Sequence, residues 1–516
     1  MMPVAWGAEI KVLAARYGAR TAVRDGAGEA SFAAVFDHAA GVATFLREQN
    51  RAGRPVATYL RNGRAAVAAS YGVLLAGGCE APVNAALSVD DLHYCVGLAD
   101  AGTVLTDADR VADLRDRGLD AVDVTALPPT PILALPEVPA PGDAWARITF
   151  TSGTTGRPKG VVHTQEARWT ANLLLRANLP VAPGARTRIL LMTPFAHGAA
   201  LLTYAFLDGG GSVHLLDGVR LDAATAAIRN GDVDQIFAPP TVLAKLTAAL
   251  AGSRVETIRT IYTGTAPLSP QLYGEARTIF GPVVRITYGK TEIFNPITVL
   301  APDETDAWYA DPDAGTGICV GWPASGVEVR IVPEAEGQGP PDGPAIGAVL
   351  LRARHMLAGL LIDGRFEPQD PAGFHRTGDL GFVDGEGRLR LVGRESDIIK
   401  TGGYSVSPEE VEALVGPLMP GLEFAVVGLP SSYWGEIVTL AVAGGPADWP
   451  EALSPRLAGL TAYKRPRLFA SLDAIPRNAM GKLVRARLRE AILARYAVND
   501  GPYPGLLPAA GQASAD

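Results

Sequence analysis

Apolar residues recur with two different periods along this chain, and the switches between them mark its elements. Helical spacing runs from Phe36 to Arg47, from Ala65 to Leu75 and from Thr241 to Leu250. Between these lie short apolar runs with strand character: Pro55 to Leu60, Gly102 to Thr106, Ala146 to Ile148, Ile189 to Met192 and Asp234 to Ala238. Two more strands, starting at Thr260 and Val283, each run into a polar turn. Strands separated by helices predict a doubly wound α/β unit. The proline-rich stretch from Pro128 to Pro141 predicts a surface connection. From Gly315 the pattern changes to short strands between Gly/Pro turns, as at Gly347 to Arg352 and Arg388 to Val392, which predicts a β-rich barrel or sandwich. Residues 395 to 497 read as a separate α+β unit, with a helix announced by Ser407 as cap, Pro408 at the first position and Glu409 and Glu410 behind it. Beyond Asn499 a disordered tail is expected.

Length and charge narrow the function. With 516 residues, 48% of them hydrophobic, the chain can bury more than one core. A net charge of −8 supplies no basic field for nucleic acid or an anionic membrane. Cys79, Cys95 and Cys319 are odd in number and far apart, which argues for buried thiols in a reducing compartment rather than a zinc site. The first residues show no signal-peptide pattern, and the weakly polar run from Ala65 to Gly78 is too short for a membrane span. A cytoplasmic protein without a membrane span is expected.

The densest chemistry lies in Thr151-Ser152-Gly153-Thr154-Thr155-Gly156-Arg157-Pro158-Lys159-Gly160. Glycines let backbone N–H groups approach a ligand, hydroxyls donate, and Lys159 adds a point charge, so the loop suits a polyphosphate. Its order is not that of a Walker A loop: Lys159 precedes a glycine, and Pro158 stands where a P-loop helix would begin.

This loop resembles the signature of the adenylate-forming superfamily, which includes acyl- and aryl-CoA synthetases. Four later segments extend the resemblance over about Ile10 to Arg485. Thr287-Tyr288-Gly289-Lys290-Thr291-Glu292 matches the family's Tyr-Gly-x-Thr-Glu motif. It implies that Tyr288 stacks on adenine, Thr291 binds the α-phosphate and Glu292 holds Mg²⁺. Gly264-Thr265-Ala266-Pro267 would border the same nucleotide. His375-Arg376-Thr377-Gly378-Asp379 and Gly393-Arg394 resemble the ribose-binding motifs, with Asp379 and Arg394 on the hydroxyls. The hinge position is Ser396, where relatives usually carry Asp or Lys, and Lys400, Gly402 and Gly403 would line a pantetheine tunnel. Pro476-Arg477 through Gly481-Lys482 fits the segment whose lysine, here Lys482, bridges carboxylate and α-phosphate. The fold implied is α/β. A large N-terminal domain, residues 1–394, has two α/β sheet subdomains and a β-rich barrel-like one. A small mobile α+β domain, 395–499, follows, and then a tail, 500–516.

The implied reaction is attack of a carboxylate on the α-phosphorus of ATP, giving an acyl-AMP and pyrophosphate, then thioester formation with CoA. Position and charge neutralisation carry the first step, so Thr151, Lys159, Glu292 and Lys482 are the expected catalytic set. Phe195, His197, Phe237, Tyr262, Gly264, Gly289, Phe294 and Asn295 are expected to line the acid pocket, though each apolar one could equally be core. The extension of the Tyr-Gly motif to Asn295 resembles benzoate-type ligases, and several aromatics favour a small planar acid. Short acyl acids or an unusual oxyanion stay open, as do a carrier protein or an amine as acceptor. A catalytically silent nucleotide-binding module is the reading from another class. Neither HExxH nor GxSxG occurs.

Overall fold

Several helix starts follow local chemistry. Ser31, Ser88, Thr164, Ser269 and Ser407 each accept, through their side chains, a backbone N–H of the first turn. That satisfies a donor which the helix itself cannot. Pro240, Pro270 and Pro408 open their helices, where a missing N–H is harmless. The computed structural model describes residues 3–152, 158–311, 317–333, 345–446, 448–477 and 483–508. They divide into two compact units, one of residues 1–312, 320–328 and 352–375, the other of 313–319, 329–351 and 376–516.

The first unit holds two sheets. Across one, the strands run Val284–Ile286, Thr260–Thr263, Gln235–Phe237, Arg188–Leu191, Ser212–Leu215, Thr21–Asp25 and Gly28–Ser31. All neighbours in it are parallel except the last pair. Across the other they run Arg365–Pro368, Gly359–Ile362, Pro158–Thr164, Trp145–Ser152, Glu80–Pro82, Val56–Tyr59, Thr103–Thr106 and Ala121–Asp123. Here the Trp145 strand is the junction: parallel to Glu80–Pro82 on one side and antiparallel to Pro158–Thr164 on the other.

One core joins the sheets through the helices Phe32–Glu48, Arg64–Leu75 and Ala200–Asp208. Phe36, Leu46, Tyr71, Leu74 and Phe206 in these helices pack with Ile189, Leu191 and Val213 of one sheet and Val56 and Leu105 of the other. Arg64–Leu75 is buried from Ala66 onward, which suits a helix covered on every side. It touches Phe32–Glu48 at Gly72, where a Cβ would lie 2.5 Å from the Val42 Cβ. No helix among the described residues is long and apolar enough to cross a membrane.

The second unit carries the β-rich strands, including the antiparallel pair His375–Val383 and Leu389–Arg394. It also holds a five-stranded sheet built on the pair Glu423–Ser431 and Gly435–Ala443. One face of that sheet packs under Val411, Val415 and Trp449, the other under Leu488 and Ile492. This is the expected α+β arrangement.

Strand and helix positions agree with the periodicity to within a few residues, and the α/β class with a β-rich part and an α+β part is borne out. Two expectations need correcting. The Pro128–Pro141 stretch is not merely a surface connection: Ile132 and Leu135 are buried in the first core, and Ala140 bridges Val4. The chain just beyond Asn499 is structured, because Tyr496–Asn499 pairs with Gly505–Pro508. Asp500 holds that turn by accepting from Ser431, Ser432 and the Ser432 N–H, while the Trp434 indole donates to the Gly501 carbonyl. All three cysteines are buried and free, and burial pushes the Cys95 thiol up to about 12.

Candidate functional site

The phosphate loop is the tip of a β-hairpin. Thr151 lies opposite Lys159, and Ser152 opposite Pro158, on strands Trp145–Ser152 and Pro158–Thr164. Gly153, Thr154, Thr155 and Gly156 lie outside the described residues. After the loop the chain continues as a strand, where a P-loop would start a helix.

Farther down that strand His163 is fully buried and stacks on Phe294, ring centroids 3.8 Å apart. Burial pushes its imidazole down to about 3, and neither ring nitrogen has a hydrogen-bond partner of normal geometry. Strand Gly359–Ile362 pairs with the same hairpin strand. The segment entering it holds the Tyr-Gly motif: Leu357 N donates to the Glu292 carbonyl at 2.8 Å, and Phe294 N to the His355 carbonyl at 3.4 Å. These ties dock Tyr288 to Asn295 against the strand leaving the phosphate loop.

The turn after Thr260–Thr263 meets the same segment. A Cβ on Gly264 would sit 2.4 Å from the Thr287 carbonyl oxygen, so only glycine permits the approach. Thr287 N donates to the Thr263 carbonyl at 3.1 Å, and Tyr288 N to Thr298 Oγ1 at 3.2 Å. Thr265 takes φ +71°, unusual for a β-branched residue and a mark of a constrained turn. Within the first unit, then, the turn at Gly264 meets Thr287, and the segment to Phe294 lies against His163 on the strand that begins beside Lys159.

The expected acid-pocket residues form a buried wall. Phe195, Phe237 and Tyr262 are each less than a tenth exposed, Phe237 and Tyr262 are cross-strand partners, and the Phe237 ring lies against Gly198. Phe294 lies under His163, and the Asn295 amide crosses Gly289. His197 belongs to the short π-type turn Phe195–Ala199 and has φ −119° and ψ −136°. A buried and a half-buried side chain shape that turn. Arg147 donates to the Ala196 carbonyl at 3.0 Å, and Asn62 accepts from Phe195 N at 2.8 Å while donating to the Thr193 carbonyl at 2.8 Å. Burial and then the Arg147 charge push His197 down to about 4, so at neutral pH it offers an uncharged imidazole.

Arg147 is part of a charge network absent from the expectations. It lies 2.5 Å from Glu80, which Arg168 meets at 3.4 Å, and all three are at most 4% exposed. Ser70 donates to Glu80 at 2.6 Å, and Tyr204 joins both Ser70 and Arg168. Burial alone would raise Glu80, but the two guanidiniums and the hydroxyls hold it below the usual carboxylate range. The available signal was a charged residue inside an apolar strand: Glu80 in Cys79-Glu80-Ala81 and Arg147 in Ala146-Arg147-Ile148.

Three segments meeting around a glycine-threonine hairpin invite comparison with known proteins. The description "AMP-binding enzyme" matches residues 10–361. The chain belongs to that family. Among the relatives of this AMP-binding enzyme, the 4-chlorobenzoate–CoA ligase of an Arthrobacter species is 30% identical over 383 residues, spanning 72% of this chain and 70% of its own. The sulfoacetate–CoA ligase of Cupriavidus necator is 31% identical over 461 residues, spanning 84% and 87%. Among solved structures, o-succinylbenzoate CoA synthetase from Bacillus subtilis, in complex with its acyl-adenylate intermediate, superposes with a TM-score of 0.79 at 27% identity. That match covers 95% of this chain and 98% of the other. The resemblance read from the motifs and the assignment to acid–CoA ligases are borne out.

Within the second unit of this AMP-binding enzyme, Asp379 and Arg394 face each other across neighbouring strands, Nε to Oδ1 3.3 Å. Thr377 Oγ1 accepts from Asp379 N at 3.1 Å and donates to the Val349 carbonyl at 2.7 Å, fixing the carboxylate's backbone. Ser396 is exposed in the short turn Glu395–Asp397, its hydroxyl 3.0 Å from Asp397. Arg485 holds Asp397, Glu409 and Glu412 at 3.2, 2.7 and 2.8 Å, tying the residue after Ser396 to the helix Arg485–Arg495. Lys400 is exposed, and Gly402 and Gly403 take φ +56° and +84°. Lys482 lies outside the described residues, but Arg477 and Leu483 bridge on either side of it.

Proposed function

We propose that the chain is a cytoplasmic AMP-forming acid–CoA ligase that activates a small aromatic-type carboxylic acid with ATP and Mg²⁺. One observation carries this reading. The turn at Gly264 closes on Thr287, and the Glu292 carbonyl accepts from Leu357, whose neighbour Ala358 donates to Val162, which supports a nucleotide site near the buried Phe195, Phe237 and Tyr262.

The chemistry follows from these positions. Thr151, Ser152 to Gly156 and Lys159 receive the pyrophosphate end of ATP, where backbone N–H groups and one cation neutralise charge. Tyr288 takes adenine, Asp379 and Arg394 the ribose, and Thr291 the α-phosphate. Among the described residues no group of three or more His, Cys, Asp or Glu could hold a metal. A magnesium ion would be held by one carboxylate, Glu292, and by the phosphates that bring it. When bound, Mg²⁺ supplies charge neutralisation at the phosphoryl oxygens. Neutral His197 and the Phe195, Phe237 and Tyr262 rings orient the acid and keep water from it. Lys482 draws the carboxylate and α-phosphate together. Ser396 separates an adenylating domain, 1–394, from a lysine-bearing domain, 395–499, and Gly402 and Gly403 give a side-chain-free path for pantetheine.

The test is ATP–pyrophosphate exchange and pyrophosphate release over a panel of aromatic and aliphatic acids, with and without CoA. We expect exchange with at least one small acid and net turnover only when CoA is added. Turnover with an amine or a carrier protein but not with CoA would redirect the second half-reaction. Exchange with none of the acids would overturn the reading.

A further inference from the structure

The strand before the Tyr-Gly motif reads Val283-Val284-Arg285-Ile286, an arginine where the pattern asks for an apolar residue. Arg285 is 2% exposed, the largest side chain among the fully buried ones. Its Nε and Nη2 are buried without a hydrogen-bond partner, and no ion pair among the described residues includes it. Its aromatic neighbour is Tyr262, whose ring centroid lies 5.7 Å from the guanidinium carbon. The nearest acidic residue along these strands, Asp234, faces Arg259 at 3.7 Å instead.

Register defines what shares Arg285's face. Arg285 lies opposite Tyr262, Tyr262 opposite Phe237, and Thr260 opposite Gln235. Side chains alternate along strands, so all five residues point the same way. Gln235 Nε2 is a buried donor without a partner, and its Oε1 is already taken by the Tyr262 hydroxyl at 2.5 Å. Thr260 Oγ1 makes no hydrogen bond of normal geometry either. The face therefore gathers a guanidinium and an amide N–H with no acceptor for them, beside the Thr260 hydroxyl and the Tyr262 and Phe237 rings. Buried donors in folded proteins are nearly always satisfied. Burial pushes Arg285 down to about 10, which still leaves it cationic at neutral pH.

We propose that this cluster receives a second anionic group on the acid substrate, at the end away from the carboxylate that is activated. The proposal rests on the ligase reading above and names its substrate class: dicarboxylates or sulfonated acids rather than simple monoacids. A bidentate guanidinium suits a carboxylate or sulfonate. Gly264, in the turn toward the nucleotide motifs, is two residues beyond Tyr262, or ~7 Å along the strand. An acid with its two charged groups about one benzene ring apart spans that interval.

The experiment compares benzene-1,4-dicarboxylate and 4-sulfobenzoate with the neutral isostere 4-acetylbenzoate and with benzoate, by pyrophosphate release from the full chain. Wild-type protein is expected to favour the dianionic acids by ~10-fold or more in kcat/KM. In Arg285→Met that ratio should collapse by ~10-fold or more, with Arg285→Lys recovering part of it. The wild-type comparison stands even if a variant fails to fold. Equal or better turnover of the neutral acids, the result expected if ordered water satisfies Arg285, overturns the anion subsite and leaves the ligase reading intact. No pyrophosphate from any acid overturns both.

Discussion

Gly264 and Gly289 both lie in the nucleotide motifs, yet their surroundings differ. A Cβ at Gly264 meets the Thr287 backbone carbonyl at 2.4 Å, whereas at Gly289 it meets the Asn295 side-chain amide at 3.2 Å. Backbone cannot step aside, but an amide can. Gly264→Ala should therefore lower unfolding stability by ~1–3 kcal/mol and abolish pyrophosphate exchange, while Gly289→Ala should cost less than ~1 kcal/mol. Comparable midpoints for the two variants in urea unfolding would contradict this account. His163 makes a different prediction. Its folded-state pKa is pushed down to about 3 by burial, so below pH ~6.5 the unfolded chain binds a proton that the folded one refuses. Stability is thereby lost as pH falls from ~6.5 toward 3, by up to ~1.4 kcal/mol per unit for this one group. His163→Phe keeps a ring on Phe294 and removes the titration. Plotted against pH, the variant should lose less stability than wild type between 6 and 4, and parallel curves would refute the assignment.

At the scale of elements, strand Glu80–Pro82, strand Trp145–Ser152 and helix Gln165–Ala177 are joined by buried charge. Glu80 serves both Arg147 and Arg168. Glu80→Met should destabilise by ~3–5 kcal/mol because it strands two guanidiniums away from water. Adding Arg147→Met to it should cost less than the two single changes together, and strict additivity in the double-mutant cycle would argue against a shared network. This network also shows where reading the sequence stops. Apolar period and capping residues foretold elements such as Arg64–Leu75, Pro408–Val415 and Arg188–Leu191, because both are local. The partner of a buried charge is not local: Glu80 and Arg147 are distant in sequence, and each reads alone as a polar interruption. The same holds for Arg285, and for the Pro128–Pro141 stretch, whose Ile132 and Leu135 look like loop residues until the core that receives them is known. The turn after Asn499 escaped for the same reason, since Asp500 finds its partners at Ser431 and Ser432.

Over the whole molecule, the two reactions of an acid–CoA ligase make opposite demands on motifs proposed to run from Thr151 to Lys482. Joining a carboxylate to the α-phosphorus brings two anions together, so the first reaction needs every available cation. Thiolate attack on the finished acyl-AMP needs no such help, because a mixed anhydride is already a good electrophile with AMP as leaving group. The motifs make this division legible, since Lys482 follows Ser396 in the chain while the phosphate loop and Glu292 precede it. Removing the lysine should thus divide the two reactions. Lys482→Ala is expected to lose ~10²–10³-fold in acyl-AMP formation, the scale of deleting one positioned charge or donor at a developing anion. Supplied with chemically prepared acyl-AMP and CoA, the same variant should make thioester within a few-fold of wild type. Rapid-quench measurement of the two half-reactions on one preparation distinguishes the cases, because misfolding would depress both. Equal losses in a protein with unchanged thermal midpoint would mean that Lys482 acts in both steps and that the two reactions share one arrangement of the chain.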